Sequence, residues 1–233
     1  MDEAAAKVIV DKIIGQVFGF QNPLTMDQVL QKFAFDVRLP QQVTDAETGE
    51  PTWAQSTNPT SFVKFENQLK KEQNAWDRPA RRLNTIEDIL GAWNEINPMT
   101  TERQLDSVNI GQSDNIYGSE NVWRSQDIHN SKNVVFCDSM TMGSSEFVLA
   151  CQRSGALSYC IRVEDSGECS NSFNVQWCKF VVNSMFISDG TQIQDSLFCS
   201  HVSNKRFMVA NMQFDEAEYK RLRDIVARWI LTA

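Results

Sequence analysis

The sequence predicts a mainly β protein built around a single-stranded β-helix, a β-solenoid of six-residue repeats. An N-terminal helical and extended region and a C-terminal capping helix complete the predicted fold. The solenoid is predicted because a serine returns at every sixth position from residue 107, and an Ile or Val follows three residues after each one. Stacking such short units buries a continuous core. The serines are Ser107, Ser113, Ser119, Ser125 and Ser131, and the aliphatic residues are Ile110, Ile116, Val122, Ile128 and Val134.

The repeat continues to His201 after one interruption. At residues 143–147 the sequence GSSEF is one residue short of a full unit, and from Val148 the repeat resumes in a shifted phase. The chain then contains fifteen six-residue units and one five-residue unit. Ser and Cys dominate the small positions, and Val, Ile and Cys the large positions. Such side chains suit a narrow β interior, so both positions are predicted to face inward.

The length of one coil and its handedness stay open. Cys151 and Cys169 lie eighteen residues apart, and other cysteine and aromatic pairs repeat that spacing, which favours a coil of three units. The small residue three places after the aliphatic one, as in Ile110 and Ser113, is instead more like small right-handed solenoids with twelve-residue coils. Strict in-and-out alternation would turn Asp114 inward, which is costly without a partner.

Three regions are predicted: residues 1–103 as a helical and extended docking region, 104–214 as the solenoid, and 215–233 as a capping helix over the last coil. Residues 4–18 carry apolar side chains on one helix face. Thr25 and Thr85 each open a further short helix. Residues 37–60 hold three prolines and are predicted to form an irregular arm. The last helix is predicted to begin after Asp215 and to cover the open strand edges at the end of the solenoid.

Composition excludes several classes of function. The net charge of −8 argues against non-specific nucleic-acid binding, which requires clustered Lys and Arg. No apolar run is long enough to span a membrane, and the acidic start MDEAAAKVIV does not resemble a signal peptide. Synthesis in the cytoplasm is therefore expected.

The cysteines are predicted to be buried free thiols, and neither a metal nor another cofactor is expected. All of them fall at an inward position, and none has the CxxC or His-paired spacing of a zinc site. The positions are Cys137, Cys151, Cys160, Cys169, Cys178 and Cys199.

No catalytic site is predicted. Phosphate-binding loops, GxSxG and HExxH are missing from the sequence. His129 and His201 are the two histidines, and each is expected on an exposed strand or corner rather than as a general base. The acidic stretch RVEDSGE at 162–168 can be a cation or sugar site, but a solvated corner is the preferred interpretation.

Aromatic residues outside the inward positions are the best candidates for a site. Some are expected to be covered by the N-terminal helices and the arm, and the others to form a surface for a protein partner, since exposed apolar patches mark interaction sites. The candidate partner-binding residues are Trp53, Trp123, Trp177, Phe180, Phe186 and Phe198.

The stretch SDNIYGSENVWRSQDIHNSKNVVFCDS, with SNKRFMVANMQFDEAEYKRL closing the repeats, resembles uncharacterised Ser/Cys-rich β-solenoid proteins of large tailed phages and little-studied bacteria. The resemblance covers roughly residues 100–233. It implies a structural role, such as a component of a virion or capsid, and no activity.

Two functions remain open. The first is a non-catalytic structural or binding protein, a rigid solenoid that docks on a larger assembly. The second is an acyltransferase of the left-handed β-helix type, acting as a trimer with His129 or His201 in a cleft between subunits. That family has the same six-residue period but places the small residue four after the aliphatic one, not three.

Overall fold

The computed structural model describes residues 1–58, 61–72 and 77–232. It is mainly β, with a solenoid of about nine turns, an N-terminal helical region and a C-terminal helix, so the predicted fold class is confirmed. The helices are α1 Glu3–Phe18, α2 Met26–Phe33, α3 Phe65–Leu69, α4 Ile86–Asn94 and α5 Glu216–Thr232. The first strands are β1 Gln41–Thr44, β2 Pro51–Ala54, β3 Phe62–Lys64 and β4 Met99–Thr101. The solenoid strands are β5 Gln104–Leu105, β6 Val108–Gly111, β7 Asp114–Tyr117, β8 Glu120–Trp123, β9 Gln126–His129, β10 Lys132–Val135, β11 Asp138–Met140, β12 Glu146–Leu149, β13 Gly155–Glu164, β14 Gly167–Gln176, β15 Lys179–Val182, β16 Met185–Ser188, β17 Thr191–Ser200, β18 Ser203–Val209 and β19 Met212–Gln213.

One coil of the solenoid contains twelve residues. Parallel pairing places Ile116 beside Ile128 and Leu157 beside Cys169, and the same offset holds along the stack. The eighteen-residue coil that the cysteine and aromatic spacings favoured is therefore wrong, because register partners lie twelve residues apart. Inward side chains recur at every third position, so successive residues do not simply alternate between the two sides of the sheet.

The interruption at 143–147 lies in a longer coil. Lys132 pairs with Glu120 on one side but with Glu146 on the other, so this coil has fourteen residues. The sequence suggests a repeat unit that is one residue short, but the strand pairing shows a coil that is two residues longer than the others. Beyond it, small and large residues exchange ladders, and a ladder that begins with Val134 and Val148 continues with small side chains. Each coil still has two small and two large inward positions.

The serines of the interior have a defined hydrogen-bonding role. Ser184 is fully buried. Its Oγ donates to the carbonyl oxygen of Val182 at 2.7 Å and accepts from the N–H of Ser196, in the next coil, at 3.1 Å. Cysteine performs the same role, since Cys178 Sγ donates to Gln176 O and accepts from the N–H of Gly190. Ser and Cys therefore exchange at these positions because both satisfy a buried backbone N–H.

A second core lies outside the solenoid, beneath α1. In seven successive coils, from Trp123 to Leu197, the residue that follows one inward position is apolar and buried, and these residues stack in register. With about 1.5 Å per residue the sixteen residues of α1 extend about 24 Å, enough to cross five coils spaced about 4.8 Å apart. The apolar face of α1, which the sequence predicted, is buried against this ladder. The ladder consists of Trp123, Val135, Leu149, Ile161, Phe173, Met185 and Leu197.

The predicted irregular arm is a β-hairpin, except that residues 59–60 lie outside the described residues. Strands β1 and β2 pair antiparallel around a turn at Asp45. This carboxylate is fully buried and accepts hydrogen bonds from the N–H groups of Glu47, Thr48 and Lys64. The arm forms regular structure because the buried Asp45 satisfies the turn and connects it to β3.

The arm also covers Asp114. This residue is fully buried, and its carboxylate binds the guanidinium of Arg103 at 2.9 Å and the N–H of Gln55 at 3.2 Å. The inward orientation of Asp114 that strict alternation would impose is therefore not adopted. It faces the arm, and its charge is compensated by an ion pair and two backbone donors.

The C-terminal helix packs along the flank of the solenoid. Asp215 caps it, accepting from the N–H of Glu218. The hydroxyl of Tyr219 donates to Asn183 O, and the ring of Trp229 approaches that of Phe186. Asn183 and Phe186 belong to one coil, and the guanidinium of Arg223 donates to Val17 O, so α5 lies on the side of the solenoid next to the C-terminal end of α1. The solenoid ends in β19, which pairs antiparallel with β18. Lys205 of β18 is exposed, and its charge discourages pairing with another strand.

Candidate docking surface

The backbone of the solenoid has an unusual conformation with a three-residue period. From Asp106 to Ser139 and again from Phe147 to Ala210, every third residue has a positive φ near 50–60°. L-residues other than Asn, Asp and Gly adopt this left-handed region at a cost of roughly 1–2 kcal/mol. This explains the many Asn and Asp residues of the repeats. It also makes a bulky aromatic at such a position an exception that requires a reason.

Four of the eight Phe, Tyr and Trp residues at these positions are stabilised by stacking along the solenoid. Phe147 stacks on Tyr159 with ring centroids 4.6 Å apart, and Phe186 stacks on Phe198 at 4.4 Å. Each pair joins adjacent coils, so ring stacking offsets part of the backbone cost.

No ring in the described ranges stacks on Trp177 or Phe180. Trp177 has φ 51° and is 63% exposed, and Phe180 has φ 58° and is 46% exposed. The register neighbours of Trp177 are Asp165 and Asp189, residues that this conformation favours. Two large side chains thus stand in strained positions on the surface, where smaller polar residues occupy the adjacent coils.

The surroundings of these two rings are charged. Lys179 lies over the ring of Phe180 at 5.2 Å. Asp165 accepts two hydrogen bonds from Arg153, and these, together with a hydrogen bond from the Trp177 indole, lower the pKa of Asp165. Phe180 is therefore bordered by Lys179 and Trp177 by the Arg153–Asp165 ion pair, so each exposed ring has a charged neighbour. We refer to Trp177, Lys179 and Phe180 as the corner patch.

The other candidate residues lie elsewhere. Trp123 is 3% exposed beneath α1, so it presents no surface to a partner. Trp53 is half-buried, with the guanidinium of Arg124 5.6 Å from its ring centroid. Phe186 lines a groove of about 280 Å³ together with Phe35, Phe173 and Trp229. Phe198 is 42% exposed at one side of this groove. The structure therefore separates the six residues into a corner patch, a groove and two covered tryptophans.

Sequence reasoning missed both the outer apolar ladder and the strained positions of the aromatics. The ladder had a detectable signal, because an apolar residue follows the inward position in every second unit, as in Val122–Trp123 and Val134–Val135. The positive φ values had a weaker signal in the sequence, which is the Asn or Asp that stands just before the inward residue in the first units.

The histidines lie on the outer surface. His201 is exposed, and its Nδ1 is 3.0 Å from the Asp189 carboxylate. His129 contacts the ring of Tyr117. Among the described residues, no group of three or more His, Cys, Asp or Glu side chains could hold a metal ion. None of the helices in the described ranges is long and apolar enough to cross a membrane.

The six cysteines are all free and buried. Burial raises the pKa of the Cys151 and Cys160 thiols well above the ordinary value and that of Cys169 to about 12. Protonated, inaccessible thiols are poor nucleophiles and poor metal ligands. These residues act as small core side chains and hydrogen-bonding groups.

Comparison with known proteins adds no family. The sequence matches no model of a protein family, and no curated protein matches it.

Proposed function

We propose that this protein is a non-catalytic structural or binding protein, a rigid solenoid of six-residue repeats that docks on a larger protein assembly through the corner patch. A virion or capsid is the instance suggested by the resemblance of the repeats. The observation that carries the proposal is the strained, exposed pair Trp177 and Phe180. Large aromatic residues dominate the energy of protein interfaces, and strain retained at the surface marks function more often than stability.

The rest of the fold supports this function. Each coil is fixed by parallel pairing and by interior hydrogen bonds, and α1 and α5 brace one flank. Side chains on such a scaffold lose little freedom on binding, which favours affinity. The arm is less suited to docking, because Asp45 and Gln55 engage it with the protein's own residues.

The experiment replaces Trp177 and Phe180 with Asn. Asn accepts the left-handed conformation, so the Trp177→Asn/Phe180→Asn variant should be more stable than the parent by roughly 1–2 kcal/mol. The same variant should lose co-sedimentation with the particle fraction of a lysate from the native host. Trp229→Ala is the matched control, because Trp229 is also exposed but lies on α5, and it should sediment like the parent.

Two results contradict the proposal. Equal sedimentation of the Asn variant and the parent would remove the corner patch as the docking surface. A stable trimer that binds coenzyme A, and loses activity on His201→Ala, would favour the acyltransferase alternative, for which the His201–Asp189 contact is the one supporting observation.

A further inference from the structure

The two rings of the corner patch differ in what lies over them. Lys179 Nζ lies 5.2 Å from the ring centroid of Phe180, so this ring already has a cation from its own chain. Trp177 is the more exposed of the two, at 63%, and in the part of the chain that the structure describes no Lys or Arg lies over its ring. A Trp ring attracts cations more strongly than a Phe ring does. The better cation acceptor of the pair is therefore left open.

The ring of Trp177 is held in a fixed orientation. Its indole N–H donates to Asp165, the register neighbour in the preceding coil. Asp165 in turn accepts two hydrogen bonds from Arg153. Because the edge of the indole is bonded in this way, the ring loses little freedom when a partner group stacks on its face.

Carboxylates outnumber cations around Trp177. In its own coil and the two adjacent coils, the outward-facing positions beside the ring carry four carboxylates, and the Lys and Arg side chains that contact them are Lys179 and Arg153. The carboxylates are Glu164, Asp165, Glu168 and Asp189. The surface around the exposed ring is therefore acidic, and it is electrostatically complementary to a basic partner.

Asp189 is the carboxylate of this group that is not neutralised. It lies one coil beyond Trp177 at the same corner, about 4.8 Å along the solenoid. Its side chain is 65% exposed, and its ion-pair contact within the described ranges is Nδ1 of His201, at 3.0 Å, which is charged only when protonated. The other three carboxylates each pair with a Lys or Arg. An open Trp ring thus lies beside a carboxylate that no Lys or Arg of the described residues balances.

This arrangement fits a guanidinium group. We propose that the partner of the corner patch presents an arginine from a basic segment, and that its guanidinium stacks on Trp177 and pairs with Asp189. The inference rests on the proposed docking function and names the chemistry of the partner. Arginine fits better than lysine because its planar group stacks on a ring with its face and donates to a carboxylate with its edge.

The first test measures the binding of hexa-arginine to the full chain by isothermal titration calorimetry. Trp177→Leu keeps an apolar side chain but removes the ring face, and the affinity should fall about two- to fivefold. Asp189→Asn removes an exposed ion pair and should lower the affinity by a similar factor of about two to five. Hexa-lysine should bind the parent more weakly than hexa-arginine, because an ammonium group has no planar face.

Asp106→Asn is the matched control for Asp189→Asn. Asp106 is also an exposed aspartate with a positive φ at a corner of the solenoid, but it lies in the first coil, far from Trp177. Both substitutions remove one negative charge, and Asn accepts the left-handed conformation of both positions. Asp106→Asn should therefore bind hexa-arginine like the parent. An equal loss of affinity in the two Asn variants would reduce the binding to net charge and overturn the inference, as would unchanged affinity in Trp177→Leu.

The second test separates this inference from the proposed docking function. Asp189→Asn should lower co-sedimentation with the particle fraction, and hexa-arginine should release the parent from that fraction, while hexa-glutamate should not. If the Trp177→Asn/Phe180→Asn variant loses co-sedimentation but neither Asp189→Asn nor hexa-arginine has an effect, the docking function stands and the basic partner is wrong. If that double variant sediments like the parent, the docking function is wrong, while weaker hexa-arginine binding in both Trp177→Leu and Asp189→Asn would still support the arginine site.

Discussion

Replacement of Ser184 tests the idea that Ser and Cys hold the solenoid together as hydrogen-bonding groups and not as small fillers. Ser184→Ala removes the acceptor for the N–H of Ser196 and the donor to the carbonyl oxygen of Val182. The site is fully buried, so water cannot replace the lost partner. A buried N–H without a partner costs about 1–3 kcal/mol, and we expect a loss of about 2 kcal/mol in the free energy of unfolding.

Ser184→Cys is the control. A cysteine thiol already makes the equivalent hydrogen bond elsewhere in the solenoid, since Cys178 Sγ accepts from Gly190 N–H at 3.2 Å. We therefore expect Ser184→Cys to cost less than about 1 kcal/mol, because the hydrogen bond is kept and the volume changes little.

Urea unfolding gives the overall change in the free energy of unfolding, provided that its dependence on urea concentration has the same slope in parent and variant. Hydrogen exchange of the Ser196 amide gives the local change, and it is informative because coils of a solenoid can open separately. In Ser184→Ala its protection should fall about thirtyfold, as 2 kcal/mol implies at about 1.4 kcal/mol per factor of ten. An alanine variant as stable as the parent, or a cysteine variant as unstable as alanine, would refute the hydrogen-bonding role.

Three further predictions concern strain, charge and thiol access. Gly155→Ala should lower the free energy of unfolding by about 1–3 kcal/mol, because its Cβ would lie 1.5 Å from Met142 O. Gly167→Ala should be tolerated, because the nearest atom to its Cβ lies at 3.4 Å. Equal melting temperatures of the two variants would contradict this expectation. Burial raises the pKa of Asp138, so its contribution is favourable at low pH and is lost as pH rises through the folded pKa. Burial also opposes ionisation of Asp45, but N–H donors outweigh it and lower its pKa, so its contribution is present above the unfolded pKa and is lost as pH falls through the folded value. Asp138→Asn should therefore stabilise the protein at pH 7 and Asp45→Asn destabilise it, and pH-dependent thermal melts with the opposite ranking would reject both assignments. A water-soluble thiol reagent should label fewer than one cysteine per native chain and all six in denaturant, and fast labelling of the native chain would contradict their burial.

The period of the sequence was sufficient to predict the solenoid. Small and β-branched residues on a fixed repeat can be buried together only if the chain winds and stacks, so Ile116, Ile128 and their equivalents identify the interior without knowledge of the coil. The apolar face of α1 and the caps at Thr25 and Thr85 were equally local, because a helix face and a cap depend on neighbours within one or two turns.

The number of residues per coil depended on contacts between distant residues. Six-residue units are compatible with coils of twelve or eighteen, and only the pairing of Ile116 with Ile128 distinguishes them. The interruption at 143–147 was misinterpreted for the same reason. Inward positions recur every three residues, so the loss of one residue and the insertion of two residues shift these positions in the same way.

The surfaces were decided by tertiary structure alone. Trp123 and Trp177 are both tryptophans in outward positions, yet one lies under α1 and the other is exposed, because helices cover only one flank of the solenoid. The exposure of α4 was likewise hidden, since its sequence is that of an ordinary helix with one buried face. Local sequence determines which side chains need burial, but the packing of the whole chain determines which of them receive it, and those left uncovered are the ones available to a partner.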